Sequence, residues 1–236
     1  VQRGVPLKSR GMTAAAANPS PVSLPLVDGM DPEDAFAELM YACQFALVDM
    51  ARDAISRGAC CTQPLPACGT TPLIAAARSG SEACVTLLLR SGAAAELHGP
   101  RGTLAIVGAC AAGSVACVRA LMQTRHDHVP LAVTGGLSPL AVACALGHDD
   151  CARELLARGI PVQPAAPGEV SALACAASEG HTACVRLLLQ ARASPGGSVV
   201  ADVMAPLTLA VASGHSDCAR ELLAHGAQVD AAGAEG

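Results

Sequence analysis

A glycine that returns at a nearly fixed interval constrains this 236-residue chain more than any other feature. Gly80, Gly113, Gly147, Gly180 and Gly214 are separated by 33, 34, 33 and 34 residues. Four residues after each comes a cysteine: Cys84, Cys117, Cys151, Cys184 and Cys218. Eight and nine residues after each comes an apolar pair: Leu88/Leu89, Leu121/Met122, Leu155/Leu156, Leu188/Leu189 and Leu222/Leu223. A unit of this length cannot bury its apolar face alone, so copies must stack on one another, and the expected architecture is a solenoid. The stretch Gly69–Gly92 is its best-preserved copy.

Each copy reads as two short helices. Thr71-Pro72 and Ser138-Pro139 place a side-chain cap and then a proline at the start of the first helix. Small residues such as Ala75, Ala76, Ala109, Ala143, Ala176 and Ala210 allow close helix packing. The recurrent glycine stops that helix, because left-handed backbone costs glycine no steric clash. A second helix follows with an apolar face, as at Val85, Leu88 and Leu89, and ends at Gly92, Gly159 or Gly226. Arg125 and Arg192 stand where two copies lack this second glycine. Ala35–Gly58 fits the same register one step upstream, with Ala46 in the place of the turn glycine. Asp31-Pro32-Glu33-Asp34 opens it as a helix start, and terminal units of a stack are atypical.

The segments TTPLIAAARSG at 70–80, SPLAVACALGH at 138–148 and APLTLAVASGH at 205–215 resemble the TPLHxAAxxGH signature of ankyrin repeats, and HGAQVDAAG at 225–233 resembles the end of that unit. The resemblance implies an all-α ankyrin-repeat solenoid, a right-handed stack of about six helix-turn-helix repeats with projecting loops. Its expected organisation is a disordered tail or expression remnant at 1–30, an N-terminal capping repeat and loop at 31–68, and five repeats at 69–236. It further implies a non-enzymatic module that binds a partner protein or peptide on a concave surface. Carried over position by position, that surface comprises Arg78, Ser79, Leu146 and Glu179 at the ends of first helices. Arg101, Leu137, Val170, Asp202 and Met204 join them from the loops. Leu137, Leu146, Val170 and Met204 would form an apolar strip, with Arg78 and Arg101 toward one end and Glu179 and Asp202 toward the other. The family's histidine in TPLH is absent from every copy, which predicts stacking that leans more on apolar packing. Two further roles fit the resemblance: a substrate-recognition adaptor whose effector, such as a ubiquitin-ligase subunit's recruiting module, lies outside the chain, and a self-associating scaffold.

Composition narrows the rest. With 52% hydrophobic and 15% charged residues the chain can bury a core. A net charge of −5 and three aromatics, Phe36, Tyr41 and Phe45, argue against nucleic-acid binding. No apolar run reaches the roughly 20 residues of a membrane span, so no membrane role is expected. Cysteines in one apolar helical column read as reduced core thiols, which points to an intracellular setting, cytoplasmic or nuclear. Lys8 is the only lysine and lies in the tail. His126-Asp127-His128 has metal-ligand chemistry without a completing set, and Cys60-Cys61 with Cys68 lacks the CxxC spacing. No nucleophile elbow, phosphate loop or HExxH motif occurs, so no enzyme activity, metal or cofactor is expected. The expected state is a monomer, with self-association left open through the C-terminal face.

Overall fold

The computed structural model describes residues 32–66, 69–95, 104–123, 138–163, 170–195 and 205–227. These residues form twelve α-helices and no strand. They fall into six pairs: α1 (Pro32–Gln44) with α2 (Val48–Ser56), α3 (Pro72–Arg78) with α4 (Glu82–Arg90), and α5 (Ala105–Ala111) with α6 (Val115–Gln123). The remaining pairs are α7 (Pro139–Ala145) with α8 (Asp149–Ala157), α9 (Ala172–Glu179) with α10 (Thr182–Gln190), and α11 (Pro206–Ala212) with α12 (Ser216–Ala224). First helices pack on the first helices of the neighbouring pairs and second helices on second helices, from one end of the stack to the other.

The local chemistry follows the sequence expectation closely. The Thr71 hydroxyl accepts from the Ile74 amide at 3.3 Å, and the Ser138 hydroxyl accepts from the Ala141 amide at 3.2 Å. Each cap is followed by a proline whose missing N–H has no intrahelical partner to lose. Pro32 likewise begins α1, whereas the cap expected at Asp31 lies outside the described residues. First helices end in one repeated motif, in which the amide after the turn residue bonds the carbonyl five residues back. The distances are 2.9 Å for His148 to Ala143, 2.9 Å for His181 to Ala176 and 2.8 Å for His215 to Ala210. Leu47 bonds Ala42 at 2.9 Å in the same way, so the first pair has the repeat's turn although its glycine is missing.

Ala46 adopts φ +59°, the left-handed conformation that glycine takes in the other copies. Arg192 does the same at φ +65°, where Gly159 and Gly226 stand in other second-helix turns. Such a backbone costs an L-residue roughly 1–2 kcal/mol, partly offset in glycine by its greater unfolded-state entropy. Arg192→Gly is therefore expected to stabilise the chain by about 0.5–1 kcal/mol in urea denaturation. A destabilised variant would show that the Arg192 side chain makes a compensating contribution.

The core is thin and continuous. Leu39, Leu73, Leu88, Leu140, Leu155, Leu173, Leu188 and Leu222 are fully buried, joined by Val85, Val118 and Val185. Alanines fill the gaps between first helices, as the sequence predicts. The five repeat-column cysteines are all buried, and every cysteine among the described residues is a free thiol. Among the described residues no helix is long and apolar enough to cross a membrane.

Candidate functional site

The site predicted from the sequence divides into residues with a described position and residues without one. Arg101, Leu137, Asp202 and Met204 lie outside the described residues, as do the His126-Asp127-His128 cluster and Cys68. Arg78, Ser79, Leu146 and Glu179 all sit where first helices α3, α7 and α9 give way to their turns. They occupy the two positions before the turn glycine, and in the six-pair stack those positions form parallel rows. Val170 is half-buried just before α9.

These side chains differ in how free they are. Arg78 is exposed, and its stem lies over Gly108 of the next pair, where an added Cβ would come within 2.9 Å of the Arg78 Cγ. That contact holds the stem against the scaffold and leaves the guanidinium to solvent. Leu146 is 39% exposed, one of few large apolar side chains left in water. Glu179 is exposed at the end of α9. Ser79 behaves otherwise: its hydroxyl lies 2.9 Å from the carbonyls of both Cys43 and Ala76 and donates to them. The Cys43 bond reaches back into the first pair, so Ser79 joins repeats in addition to lining the row.

Behind this row runs a polar ladder whose column the sequence marks, by His148, His181 and His215 after the turn glycines, but whose partners it does not state. The Nε2 of His181 is 3.1 Å from the carbonyl of Ala145, and that of His215 is 3.0 Å from the carbonyl of Ser178. Each ring lies against the turn glycine of the preceding pair: His148 against Gly113, His181 against Gly147, His215 against Gly180. Ser114 takes this role in its own copy, donating to the Gly80 carbonyl at 3.2 Å while accepting from the Cys117 amide at 3.3 Å. The missing TPLH histidine therefore does not leave stacking to apolar packing alone. The ties run one column later, through the residue after the turn glycine. The clue was its restriction, in the five copies from Gly80 onward, to Ser and His, two side chains able to bond a backbone carbonyl.

Second helices carry a further pattern. Arg119 on α6 bonds Glu154 on α8 at 3.2 Å, and Arg186 on α10 bonds Glu221 on α12 at 2.6 Å. The sequence behind them alternates: GHDDCARELLARG at 147–159 and GHSDCARELLAHG at 214–226 match except at Asp149/Ser216 and Arg158/His225. The intervening copies supply arginine without the glutamate. These pairs are exposed, so each contributes little. Hydrogen bonding to Arg119 holds the Glu154 carboxyl below its usual range, and Arg186 does the same for Glu221. Their stabilisation is present above the ordinary carboxylate range and is lost as pH falls through the lowered folded-state value.

The thiols separate into two classes. Burial pushes Cys43 up to about 12 and Cys151 up to about 11. A hydrogen bond shared with Cys184, together with burial, holds Cys144 protonated far above the ordinary thiol range. Cys60 is exposed, 3.4 Å from the Thr62 hydroxyl, and that hydrogen bond lowers its pKa. Since the thiolate is the reactive form, Cys60 is expected to alkylate first among the described cysteines of the native protein, with the helix-column cysteines protected until unfolding. Peptide mapping after brief iodoacetamide exposure checks this; early labelling of Cys151 or Cys184 would contradict the burial described. No group of three or more potential metal ligands occurs among the described residues.

The paired helices, the Thr/Ser-Pro starts and the glycine turns define an ankyrin-repeat protein. The family model for ankyrin repeats (3 copies) matches residues 39–132, 84–166 and 162–232, and the chain belongs to this family. Among solved structures, the human ASB11 ankyrin repeat domain is similar at 24% identity with a TM-score of 0.73, covering 81% of this chain and 85% of that one. An ankyrin repeat domain from Acinetobacter baumannii AYE aligns at 24% identity with a TM-score of 0.64, covering 80% of this chain and 98% of that one. At this identity the likeness speaks to fold alone. No curated protein matches the chain. Ankyrin repeats are in general protein–protein interaction modules, and the family gives no indication of an enzyme.

Proposed function

We infer that the chain is a non-enzymatic module that binds a partner protein or peptide along the row formed by the ends of its first helices. The observation that carries this reading is the exposed set Arg78, Leu146 and Glu179, held in register by the backbone ties of the histidine–serine ladder. A row of exposed side chains on a rigid support loses little conformational entropy on binding, which favours recognition. A cation at one end, an apolar centre and an anion beyond it suit an extended segment with the opposite charge order. Arg101, Leu137, Val170, Asp202 and Met204 are proposed to extend this surface from the loops, with the partner's acidic group near Arg78 and Arg101.

Cross-linking mass spectrometry on cell extract identifies the partner, using thiol- or carboxyl-directed reagents because the repeats contain no lysine. Arg78→Glu with Arg101→Glu is then expected to weaken that partner at least tenfold while circular dichroism stays unchanged. Unaltered binding by the folded double variant would reject this placement.

A further inference from the structure

The first and last of the described pairs expose what the joints between described pairs bury. Inside the stack, the column three residues before each turn is fully buried at Ala77, Cys110, Cys144 and Ala177. In the last pair that column is Val211, 64% exposed, and Leu223 of the same pair is 46% exposed. The turn glycines Gly113, Gly147 and Gly180 each have a histidine ring of the following pair against them, while no described residue lies within 4 Å of the position a Cβ would take on Gly214. At the other end, Leu47 is 40% exposed. Leu47 occupies the column of His148, His181 and His215, the residues that reach back onto a preceding turn, and its backbone (φ −87°, ψ 85°) matches that of His215 (φ −87°, ψ 77°).

We propose that these two ends fit each other, so that a second copy of the chain docks its α1–α2 face onto the α11–α12 face and continues the stack head to tail. The repeat register assigns the contacts. Leu47 of the second copy takes the open seat at Gly214, as His181 takes the seat at Gly147. Met50 stands in the column of Cys184, which hydrogen-bonds Cys144 inside the stack, so in the docked pair Met50 meets Val211, which stands in the column of Cys144. Asp53 stands in the column of Glu154 and Glu221, and Arg220 in the column of Arg119 and Arg186. The interior bridges Arg119–Glu154 and Arg186–Glu221 therefore predict an Arg220–Asp53 bridge between copies. Both groups are exposed, and Arg220 is bonded only to Asp217 of its own helix turn at 2.9 Å among the partners described.

One repeat face is small, so association is expected at roughly 10 μM to 1 mM. A heterologous contact of this kind does not close, and mass should rise continuously with concentration without a plateau at the dimer. Sedimentation of the full chain tests this, with circular dichroism confirming that each variant is folded. Leu47→Arg blocks one end and Val211→Arg the other; each alone should remain monomeric, and the two mixed should form a single discrete dimer. Arg220→Glu should weaken association at least tenfold, and Asp53→Arg in the same chain should restore it. A full chain that stays monomeric at every concentration overturns the proposal. So does a Leu47→Arg variant that still dimerises, which would place the contact tail to tail.

Discussion

Gly147→Ala is expected to destabilise the protein by about 3 kcal/mol, an effect of two parts. The first is backbone strain, since Gly147 sits at φ +74°. The second is spatial: an added Cβ would lie 2.6 Å from Nδ1 and 2.7 Å from Cε1 of His181, far inside van der Waals contact. The ring must swing away, and the bond from His181 to the Ala145 carbonyl goes with it. Gly159→Ala supplies the control, because Gly159 has φ +81° and no described residue within 4 Å of the same position. It should cost only the strain, about 1–2 kcal/mol. Urea denaturation of the two variants separates the parts, and equal costs would mean that the imidazole seat is energetically idle. His181→Ser introduced with Gly147→Ala should recover part of the difference, since residues in contact are not additive.

Leu188→Ala is expected to cost about 3–4 kcal/mol, within the range for emptying a fully buried leucine site. The consequence in a stack differs from that in a globular core. Each pair touches only its neighbours, so stability is close to a sum of local units and joints. Loss at α10 weakens its joints with α8 and α12, leaving α1–α6 with all their own contacts. Hydrogen exchange should therefore accelerate across α9–α12 and remain nearly unchanged in α3–α4. Uniform acceleration along the whole chain would show that the six pairs fold as one indivisible unit.

The fold was legible because its determinants repeat. A glycine needed for a left-handed turn recurs wherever that turn recurs, and five copies average out accidents at any one of them. Even Ala46, a residue that by itself argues against such a turn, could be placed by register and is found at φ +59°. The capping serines and threonines were readable for the same reason, since cap and proline act within four residues of each other.

What joins one copy to the next was far less legible. The histidine ladder is a relation between residues about 36 apart, such as His181 and Ala145, and no local pattern states which carbonyl a ring will meet. Ser79 illustrates the same gap. Alignment nominates it as a surface residue, but in the folded chain its hydroxyl donates to the Cys43 carbonyl in the preceding pair. The sequence places Glu154 and Glu221 at equivalent second-helix positions beside arginines, but it does not state their pairing with Arg119 and Arg186, 35 residues back. For the candidate binding row, the sequence could say which positions vary between copies. It could not say that the Arg78 stem rests on Gly108 while Leu146 stands open.

That doubled period bears on how the gene can change in length. From Gly147 to Gly214 the chain advances 67 residues and returns to nearly the same second helix and turn. Excising residues 148–214 would join Gly147 directly to His215, and Arg119 would then face Glu221 just as it now faces Glu154. Removing one copy, by contrast, sets Arg119 against Leu187 and leaves a charge without its mate. Insertions and deletions of two repeats at a time therefore keep this charge pairing in register, although each exposed pair contributes little to stability.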